Sequence, residues 1–303
     1  GAGAVHANRQ YEPWARERDK AASAALDGRL QLHTGALLHE PHAIRTQAGT
    51  PYGVYSPFAR ALFARGEPPP PLPAPERLHG PALAGLPLDA LGLIRADQPE
   101  WWRGFQAEWT PGEAGAQARI ARFMARALAG YAEARNLPGQ EGTARLSPHL
   151  HWGEVSPRQV WHAARAAGAE GEAVFLKEII WREFSHHLLW HRPEMPETAL
   201  DPRFRAFPWA PDERLLRAWK AARTGYPIVD AGMRQLWRTG WMHNRVRMIA
   251  ASLLVKHLLQ PWQAGAACFW DRLVDADLAA NSASWQWVAG CGADAAPYFR
   301  VFN

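Results

Sequence analysis

The stretch 174–190, which reads VFLKEIIWREFSHHLLW, predicts a long helix in the second half of the chain. Glu178, Trp181 and Arg182 fall at i, i+3 and i+4, so they share one face of this helix. A carboxylate, an aromatic plane and a guanidinium group on one face suit the recognition of a flat heterocycle. The same spacing fits a surface ion pair of Glu178 with Arg182 beside a core tryptophan equally well.

Helical patterns continue on both sides of this stretch. In 117–135 the apolar residues repeat at i, i+3, i+4 and i+7, and Ser156 followed by Pro157 provides an N-cap and a first helical residue. Alternating strand patterns are absent from this half of the sequence. We therefore expect an all-helical domain over residues 114–303, with further helices over 212–224, 229–240 and 241–259.

The residues before this domain differ in character. Within residues 1–65, apolar runs at 3–6 and 44–46 predict strands and 12–26 predicts a helix, which is typical of part of an α/β unit. Residues 66–113 begin with GEPPPPLPAP, whose prolines favour an extended interdomain linker. The expected fold class is mainly α: a large helical domain preceded by this linker and by a partial α/β (Rossmann-like) domain.

Composition limits the classes of function. The 303 residues include 34 Lys and Arg against 29 Asp and Glu, and the resulting charge of +5 permits an anionic partner such as nucleic acid. An apolar fraction of 48% excludes wholesale disorder, and two cysteines cannot form a disulfide framework. No signal peptide and no apolar run of about 20 residues is recognised, which favours a cytoplasmic protein without a membrane partner. Tryptophan is unusually frequent, at 16 residues against 6 tyrosines.

The turn 143–147, TARLS, is a candidate phosphate site. Its hydroxyl groups, Arg145 and the free N–H groups of the helix that starts at Pro148 could together hold a phosphate. Spacing alone favours the simpler interpretation, an ordinary helix capped by Ser147.

A helical face with Glu183, His187 and His191 could in principle bind zinc. The adjacent Glu of the metalloprotease helix motif is missing, and the helix ends at this point. We therefore expect no metal site.

The segment 241–248, WMHNRVRM, places polar side chains within an apolar helical stripe. Buried polar groups in such a stripe are satisfied internally or serve a ligand. Arg247 needs a carboxylate if it is buried, and Asp275 and Asp277 are the candidates. The stripe consists of Trp241, Asn244, Arg245 and Met248.

Several long strings, in consistent order, resemble the DNA photolyase/cryptochrome family. They are EIIWREF at 178–184, TGYPIVD at 224–230, GWMHNRVRM at 240–248, DADLAAN at 275–281, WQW at 285–287 and the closing run DAAPYFRVFN at 294–303. NRQYEP at 8–13 and YGVYSPF at 52–58 resemble the end of the α/β antenna domain of that family. The resemblance covers nearly the whole chain.

The resemblance implies that the helical domain buries a folded FAD, with the turn 143–147 at its phosphates. Arg247 would pair with Asp275, and Asn281 would lie near the reactive flavin nitrogen. No antenna chromophore, whether folate or deazaflavin, is assigned. The residues implied to bind FAD are Tyr131, Thr143, Ala144, Arg145, Leu146, Ser147, Phe175, Glu178, Arg182, Asn244, Arg247, Asp275, Ala276, Asp277 and Asn281.

The resemblance also implies light-driven repair of cyclobutane pyrimidine dimers in double-stranded DNA. This carbon–carbon lyase reaction (deoxyribodipyrimidine photo-lyase) proceeds by electron transfer from reduced FAD to a flipped-out lesion. Glu178 would hydrogen-bond the damaged pyrimidines, and with Asn281 it is an implied catalytic residue. The implied electron relay runs outward through Trp285, Trp262 and Trp209. The residues implied to contact DNA or the lesion are Arg135, Glu178, Trp181, Arg182, Asn244, Arg245, Met248 and Trp287.

Single positions distinguish members of the family. Asn244 and Met248 resemble class I cyclobutane-dimer photolyases, and Asn281 stands where plant cryptochromes carry Asp. A cryptochrome-like blue-light sensory flavoprotein remains the alternative. Because the family extends beyond both ends of this sequence, we expect a fragment whose remaining strands have an unprotected edge. We also expect the protein to be a monomer.

Overall fold

The computed structural model describes residues 3–77, 80, 84–93 and 100–295. The N-terminal part contains β1 (Val5–Asn8), α1 (Pro13–Ala25), β2 (Leu30–His33) and α2 (Tyr55–Phe63). The helices that follow are α3 (Phe105–Glu108), α4 (Glu113–Arg126), α5 (Tyr131–Ala134), α6 (Ser147–His151), α7 (Pro157–Ala167), α8 (Glu172–His191), α9 (Glu213–Lys220), α10 (Pro227–Thr239), α11 (Asn244–Ser252), α12 (Trp262–Arg272) and α13 (Leu278–Ala289). The described residues from 114 to 295 form no strand, and the expected mainly helical fold class is confirmed.

The two strands form a small parallel sheet in the N-terminal part. Val5 pairs with Leu30 and Asn8 with His33, and every side chain of β1 is exposed. Strand β2 was not predicted from the sequence, because the alternation of apolar and polar residues in LQLH extends over only four positions. The strand expected at 44–46 does not form, because Ile44 follows a 3-10 turn (Pro41–Ala43) and packs into the core.

Helix starts depend on which partner each polar side chain finds. Ser156 caps α7 and forms a capping box with Gln159, as expected. Ser147 does not cap α6, for which no side-chain cap exists, because its hydroxyl donates to Asp275 instead. The pattern at 117–135 is divided between α4 and α5, and α11 begins only at Asn244, so Trp241 precedes the helix.

Helix α8 is the centre of the fold. It packs against α2, α5, α7, α13 and the 3-10 turn. Its buried side chains include the polar Glu183, Ser185, His186 and His187 as well as apolar residues. One apolar cluster joins α8 to Leu38, Ile44, Phe58 and Leu62, so the N-terminal part packs directly on this helix. A second apolar cluster is formed by residues of the five helices from α9 through α13.

A buried carboxylate ties the N-terminal loop to α8. Glu183 accepts the backbone N–H groups of Leu38 at 2.9 Å and His39 at 3.2 Å. Burial raises the pKa of Glu183 to about 7, although the two N–H groups and the Arg182 charge act in the opposite direction. The carboxylate is therefore a structural connection between two parts of the chain.

The histidines considered for zinc serve the same loop. The His187 Nε2 atom accepts the N–H of Tyr52 at 3.0 Å, and its Nδ1 lies 3.2 Å from the Pro41 carbonyl oxygen. The His191 Nε2 atom lies 3.4 Å from that same oxygen. Within the part of the chain that the structure describes, no group of three or more His, Cys, Asp or Glu could hold a metal ion.

The proline-rich segment begins along α7. The indole N–H of Trp161 donates to Glu67 at 2.5 Å, and the His162 Nε2 atom lies 2.9 Å from the Pro68 carbonyl oxygen. The division into residues 1–65, 66–113 and 114–303 stays a prediction. Of the helices in the described ranges, none has the length and apolar character needed to cross a membrane.

We predict that Glu183→Gln changes the pH dependence of stability. The folded chain holds the Glu183 proton up to about pH 7, whereas the ordinary pKa is 4.5. The folded state therefore binds more protons in this window, and this group lowers the free energy of unfolding as pH rises, by at most about 3 kcal/mol. Urea unfolding at about pH 5 and about pH 8 measures the effect. The pH dependence should flatten in Glu183→Gln but not in the exposed control Glu197→Gln, and equal dependence in both would contradict the prediction.

Candidate functional site

A buried carboxylate joins three segments of the candidate site. Asp275 is 7% exposed, and its Oδ2 accepts hydrogen bonds from the Ser147 hydroxyl at 2.6 Å and from Arg247 Nη2 at 2.9 Å. Arg247 Nε donates to the Met242 carbonyl at 2.8 Å. The expected pairing of Arg247 with Asp275 is confirmed, and it places the turn 143–147 beside α11 and the start of α13.

The second carboxylate of this segment, Asp277, caps α13. Its Oδ1 accepts the Ala280 N–H at 2.8 Å, and its Oδ2 lies 3.3 Å from His186 Nε2. Burial acts to raise the pKa of Asp277, but His186, Arg182 and the Ala280 N–H outweigh it and hold the pKa far below its usual range. Asn281 lies one turn further on, and its amide donates to the Ala266 carbonyl of α12 at 3.0 Å.

The charges of four arginines act on a buried imidazole at the start of α11. His243 is 3% exposed, and its Nδ1 accepts the Arg245 N–H at 3.2 Å. Its Nε2 is buried and has no hydrogen-bond partner among the described residues. Burial lowers the pKa of His243, and the charges of Arg245, Arg145, Arg247 and Arg135 lower it further. A neutral donor among guanidinium groups suits an anionic ligand, so this donor set fits the phosphates of the FAD that the resemblance implies.

The turn 143–147 contributes both polar and apolar side chains. Arg145 has a positive φ of 50°, forms an ion pair with Glu108 and lies over the Trp241 ring, 4.4 Å from its centroid. Leu146 is buried, Ala144 packs on the first apolar cluster, and Thr143 and Ala276 are half-buried. The backbone at Arg145 therefore turns its guanidinium group toward the aromatic residue that precedes α11.

The carboxylate on α8 pairs with an arginine from another segment. Glu178 forms an ion pair with Arg135 at 2.6 Å, and their side chains are 31% and 17% exposed. Arg182 instead donates to the Ala36 carbonyl of the N-terminal loop. The ion pair of Glu178 with Arg182 that the spacing allowed is therefore wrong, because each group finds a partner outside the helix.

An aromatic group lies beneath this ion pair. Tyr131 meets Phe175 edge to face, with ring centroids 5.4 Å apart, and both residues are buried. Burial raises the pKa of Tyr131 to about 12, and the charge of Glu178 also raises it. The Tyr131 hydroxyl is therefore a hydrogen-bond donor at physiological pH.

The remaining lesion-side candidates lie along α11 and α13. Arg245 donates to Asn136 at 2.8 Å, and its Nη1 lies 3.3 Å from the Met248 sulfur. Asn244 is exposed, Met248 is half-buried, and Trp287 is half-buried against the second apolar cluster. The structure thus brings Arg135, Glu178 and Arg245 into one charged neighbourhood, since both Arg135 and Glu178 influence the pKa of Arg245.

The three candidate relay tryptophans differ in depth. Trp285 and Trp262 are 2% and 1% exposed, whereas Trp209 is half-buried with its ring centroid 4.5 Å from that of Phe207. Trp285 also meets Trp219 at a right-angled contact, with centroids 6.1 Å apart. All four belong to or pack against the second apolar cluster, which excludes water from the inner pair.

Three residues of this neighbourhood were not predicted from the sequence. Tyr55 stacks on Trp181, Glu108 pairs with Arg145, and His243 leaves a buried ring nitrogen unused. Tyr55 and Glu108 come from segments that are distant in sequence, so no spacing could have indicated them. His243 lay within the singled-out segment 241–248, and its burial was the missing information. Residues 296–303 of the closing run lie outside the described residues.

Comparisons with known proteins give consistent matches. A family model described as the FAD binding domain of DNA photolyase matches residues 175–303, and one described as DNA photolyase matches residues 1–76. The deoxyribodipyrimidine photo-lyase of Agrobacterium fabrum is 48% identical over 100% of this chain and 65% of its own length. The deoxyribodipyrimidine photo-lyase of one Thermus thermophilus strain is 45% identical over 99% of this chain and 67% of its own length.

A solved structure supports the same grouping. A bacterial class III photolyase from Agrobacterium tumefaciens superposes with a TM-score of 0.94 at 48% identity and covers 100% of this chain. The alignment covers 64% of that protein. The present chain therefore spans somewhat less than two thirds of the length of this relative.

We predict that Gly265→Ala destabilises the protein through Trp285. A Cβ atom at position 265 would lie 2.1 Å from the nearest atom of the Trp285 ring. Overpacking of about 1–3 kcal/mol should exceed the roughly 1 kcal/mol that alanine gains over glycine within a helix. Urea unfolding measures the loss. Gly139→Ala is the control, since a Cβ there meets nothing within 4 Å, and equal stability of the two variants would contradict the prediction.

Proposed function

Because the chain belongs to the DNA photolyase family, we propose that it binds FAD and uses light to repair cyclobutane pyrimidine dimers in DNA. The observation that carries this proposal is the buried, unpartnered His243 Nε2 atom, which lies among arginine charges next to the Arg247–Asp275 pair. Such a donor set suits an anionic ligand. His243, Arg247 and Asp275 fall within the residues that match the FAD-binding domain, whereas Arg135 and Arg145 precede them.

Different residues of this chain would hold the phosphates and the ring system of FAD. When bound in its reduced form, FAD would supply an electron to the lesion under light and recover it once the ring has split. Thr143, Arg145 and Ser147 would bind the phosphates, with His243 as a further donor. Asp275 and Asn281 would hold the ring system, and the remaining residues implied to bind FAD would line the cavity.

Glu178 is the proposed recognition group for the lesion. Its carboxylate, oriented by Arg135, can accept hydrogen bonds from the N–H groups of damaged pyrimidines. Trp181 and Trp287 would flank the two bases, and Met248 would contact them. Enzymes that act on a base within a duplex, photolyases among them, take that base out of the stack.

Binding to the DNA backbone requires positive charge. The proposed phosphate contacts are Arg135, Arg182 and Arg245, which are all half-buried, and Asn244 is exposed. Contacts of this kind position the duplex without reading its sequence, and they weaken as the salt concentration rises. Specificity for damage must therefore come from groups that contact the damaged bases, of which Glu178 is the proposed one.

The proposed electron relay runs from one half-buried tryptophan to two buried ones. An electron that enters from solvent would reach half-buried Trp209 first, then Trp262, and finally Trp285. Close aromatic packing around Trp285 holds its ring in place. In this order the relay would reduce the flavin before repair and take no part in splitting the dimer.

A sensory flavoprotein is the second candidate. It would use the same FAD residues and the same relay, whereas the lesion contacts at Glu178, Trp181 and Met248 favour repair. The motifs resemble class I enzymes, and the solved structure with a TM-score of 0.94 is of a class III enzyme.

We further propose that the protein acts as a monomer, because one chain supplies every proposed lesion contact. We also propose that it acts in the cytoplasm, at the nucleoid.

An absorption spectrum followed by illumination tests the proposed function. The purified protein should show flavin bands, and blue light should restore normal pyrimidines in a dimer-containing oligonucleotide. Absence of flavin bands under FAD supplementation overturns the proposal. Flavin bands without loss of dimers favour the sensory function.

We predict that Trp285→Phe separates photoreduction from repair. Removal of the innermost relay indole should abolish most light-driven reduction of the flavin, because phenylalanine is much harder to oxidise. Repair by enzyme that was reduced chemically beforehand should continue at the parent rate. Trp270→Phe, an exposed tryptophan on α12, is the control. An equal loss of both activities in Trp285→Phe would contradict the relay assignment.

We predict that Glu178→Gln reduces discrimination between damaged and undamaged DNA. Loss of a charged hydrogen-bond acceptor should weaken dimer binding about tenfold to a hundredfold. Arg135 would then be free to bind a phosphate, so affinity for undamaged duplex should rise and become more salt-dependent. Binding titrations at several salt concentrations measure both effects. Glu172→Gln, which also removes a paired acid from α8, is the control and should leave discrimination unchanged.

A further inference from the structure

A tyrosine from the N-terminal part covers one face of Trp181. Tyr55 is the first residue of α2, and its ring lies parallel to the Trp181 ring, with centroids 3.5 Å apart and planes inclined by 2°. Its hydroxyl donates to the Lys177 carbonyl at 3.0 Å, one helical turn before Trp181 in α8. Ring and hydroxyl of Tyr55 therefore both rest on the helix that carries the tryptophan.

The surrounding core fixes Tyr55 in this place. Helix α2 buries Phe58 and Leu62 in the first apolar cluster, and Phe184 meets the Tyr55 ring edge to face with centroids 5.9 Å apart. Burial raises the pKa of Tyr55, and the charge of Glu178 raises it further. The hydroxyl therefore stays protonated and keeps donating to the Lys177 carbonyl.

The stack leaves a single face of the indole for a ligand. An indole ring has two faces, and Tyr55 occupies one of them at contact distance. Trp181 shares a helical face with Glu178, the residue that recognises the lesion in the proposed function. A base that stacks on the open face of Trp181 is therefore presented to the same side of α8 as the carboxylate.

We propose that Tyr55 is a positioning residue for lesion recognition, which backs Trp181 so that its open face receives the extruded pyrimidine dimer. This inference rests on the proposed function. It gives the N-terminal part a role in specificity that needs no contact with DNA. The aromatic plane carries this role, and the hydroxyl only adds a hydrogen bond that holds the plane parallel to the indole.

Dimer binding by FAD-loaded Tyr55 variants tests this role. We compare the affinity for a duplex with one thymine dimer against the same duplex without damage, in darkness. Tyr55→Ala should weaken dimer binding about two- to tenfold and leave the undamaged duplex unaffected. Tyr55→Phe, which keeps the plane, should stay within about twofold of the parent. Phe63→Ala truncates another ring of α2, away from Trp181, and should match the parent.

A double-mutant cycle shows whether Tyr55 acts through Trp181. If it does, Tyr55→Ala has no further effect on dimer affinity once Trp181→Ala is present. Independent, additive losses overturn the positioning role. Flavin absorbance and thermal unfolding are recorded for each variant, and Tyr55→Leu, which fills the space without a plane, replaces Tyr55→Ala if the latter loses FAD.

The outcomes separate this inference from the proposed function. A parent protein that binds both duplexes equally contradicts the proposed function itself, before any variant is made. A parent with a preference for the dimer that Tyr55→Ala and Tyr55→Leu retain overturns the positioning role alone. Tighter dimer binding by Tyr55→Ala also overturns it, because the tyrosine would then occupy the place of a base.

Discussion

The hydrogen bonds from Leu38 and His39 to the buried Glu183 carboxylate are the constraint on which the candidate site depends. Without this acceptor, the buried N–H of Leu38 would lose its partner at a cost of about 1–3 kcal/mol, and the half-buried N–H of His39 would lose its partner as well. Glu178 and Trp181 lie just before Glu183 on the same helix. The contact that attaches the N-terminal loop therefore also sets where these side chains stand relative to α2. The N-terminal part is therefore a structural support of the site.

The high tryptophan content reflects several physical uses of one side chain. Trp285 and Trp262 fill the second apolar cluster, and Trp181 presents a flat face. Others join segments through the indole N–H. These bonds run from Trp109 to Thr239 at 2.7 Å, from Trp152 to Val274 at 2.9 Å and from Trp219 to Ala250 at 3.0 Å, in each case to a backbone carbonyl. A large ring with one donor suits a helical protein whose helix ends leave carbonyl groups unpaired.

What the sequence could predict depended on whether the deciding interaction was local. The helical character, the Ser156 cap and the need of Arg247 for a carboxylate all follow from neighbouring residues or from simple charge compensation. Ser147 was wrongly expected to cap a helix, because a carboxylate 128 positions away competes for its hydroxyl. The partners of Glu178 and Arg182 could not be predicted from the sequence either, because both partners come from other segments. Spacing identified the residues of the site, and only the fold could assign their contacts.

The charges of the site impose an order of preference on phosphate binding. Arg135, Arg145 and Arg247 each have a carboxylate partner, namely Glu178, Glu108 and Asp275. A phosphate that binds to one of these arginines must share or displace an existing partner, which reduces the net gain.

Arg245 is in a different position, because its contacts among the described residues are the neutral Asn136 and the Met248 sulfur. Burial lowers its pKa and the neighbouring Arg135 lowers it further, whereas the charge of Glu178 raises it, and a phosphate would favour the charged form in the same way as Glu178 does. By this reasoning the proposed phosphate contact at Arg245 is stronger than the one proposed for the better-paired Arg135. The paired arginines also hold the carboxylates of Glu178, Glu108 and Asp275 in place.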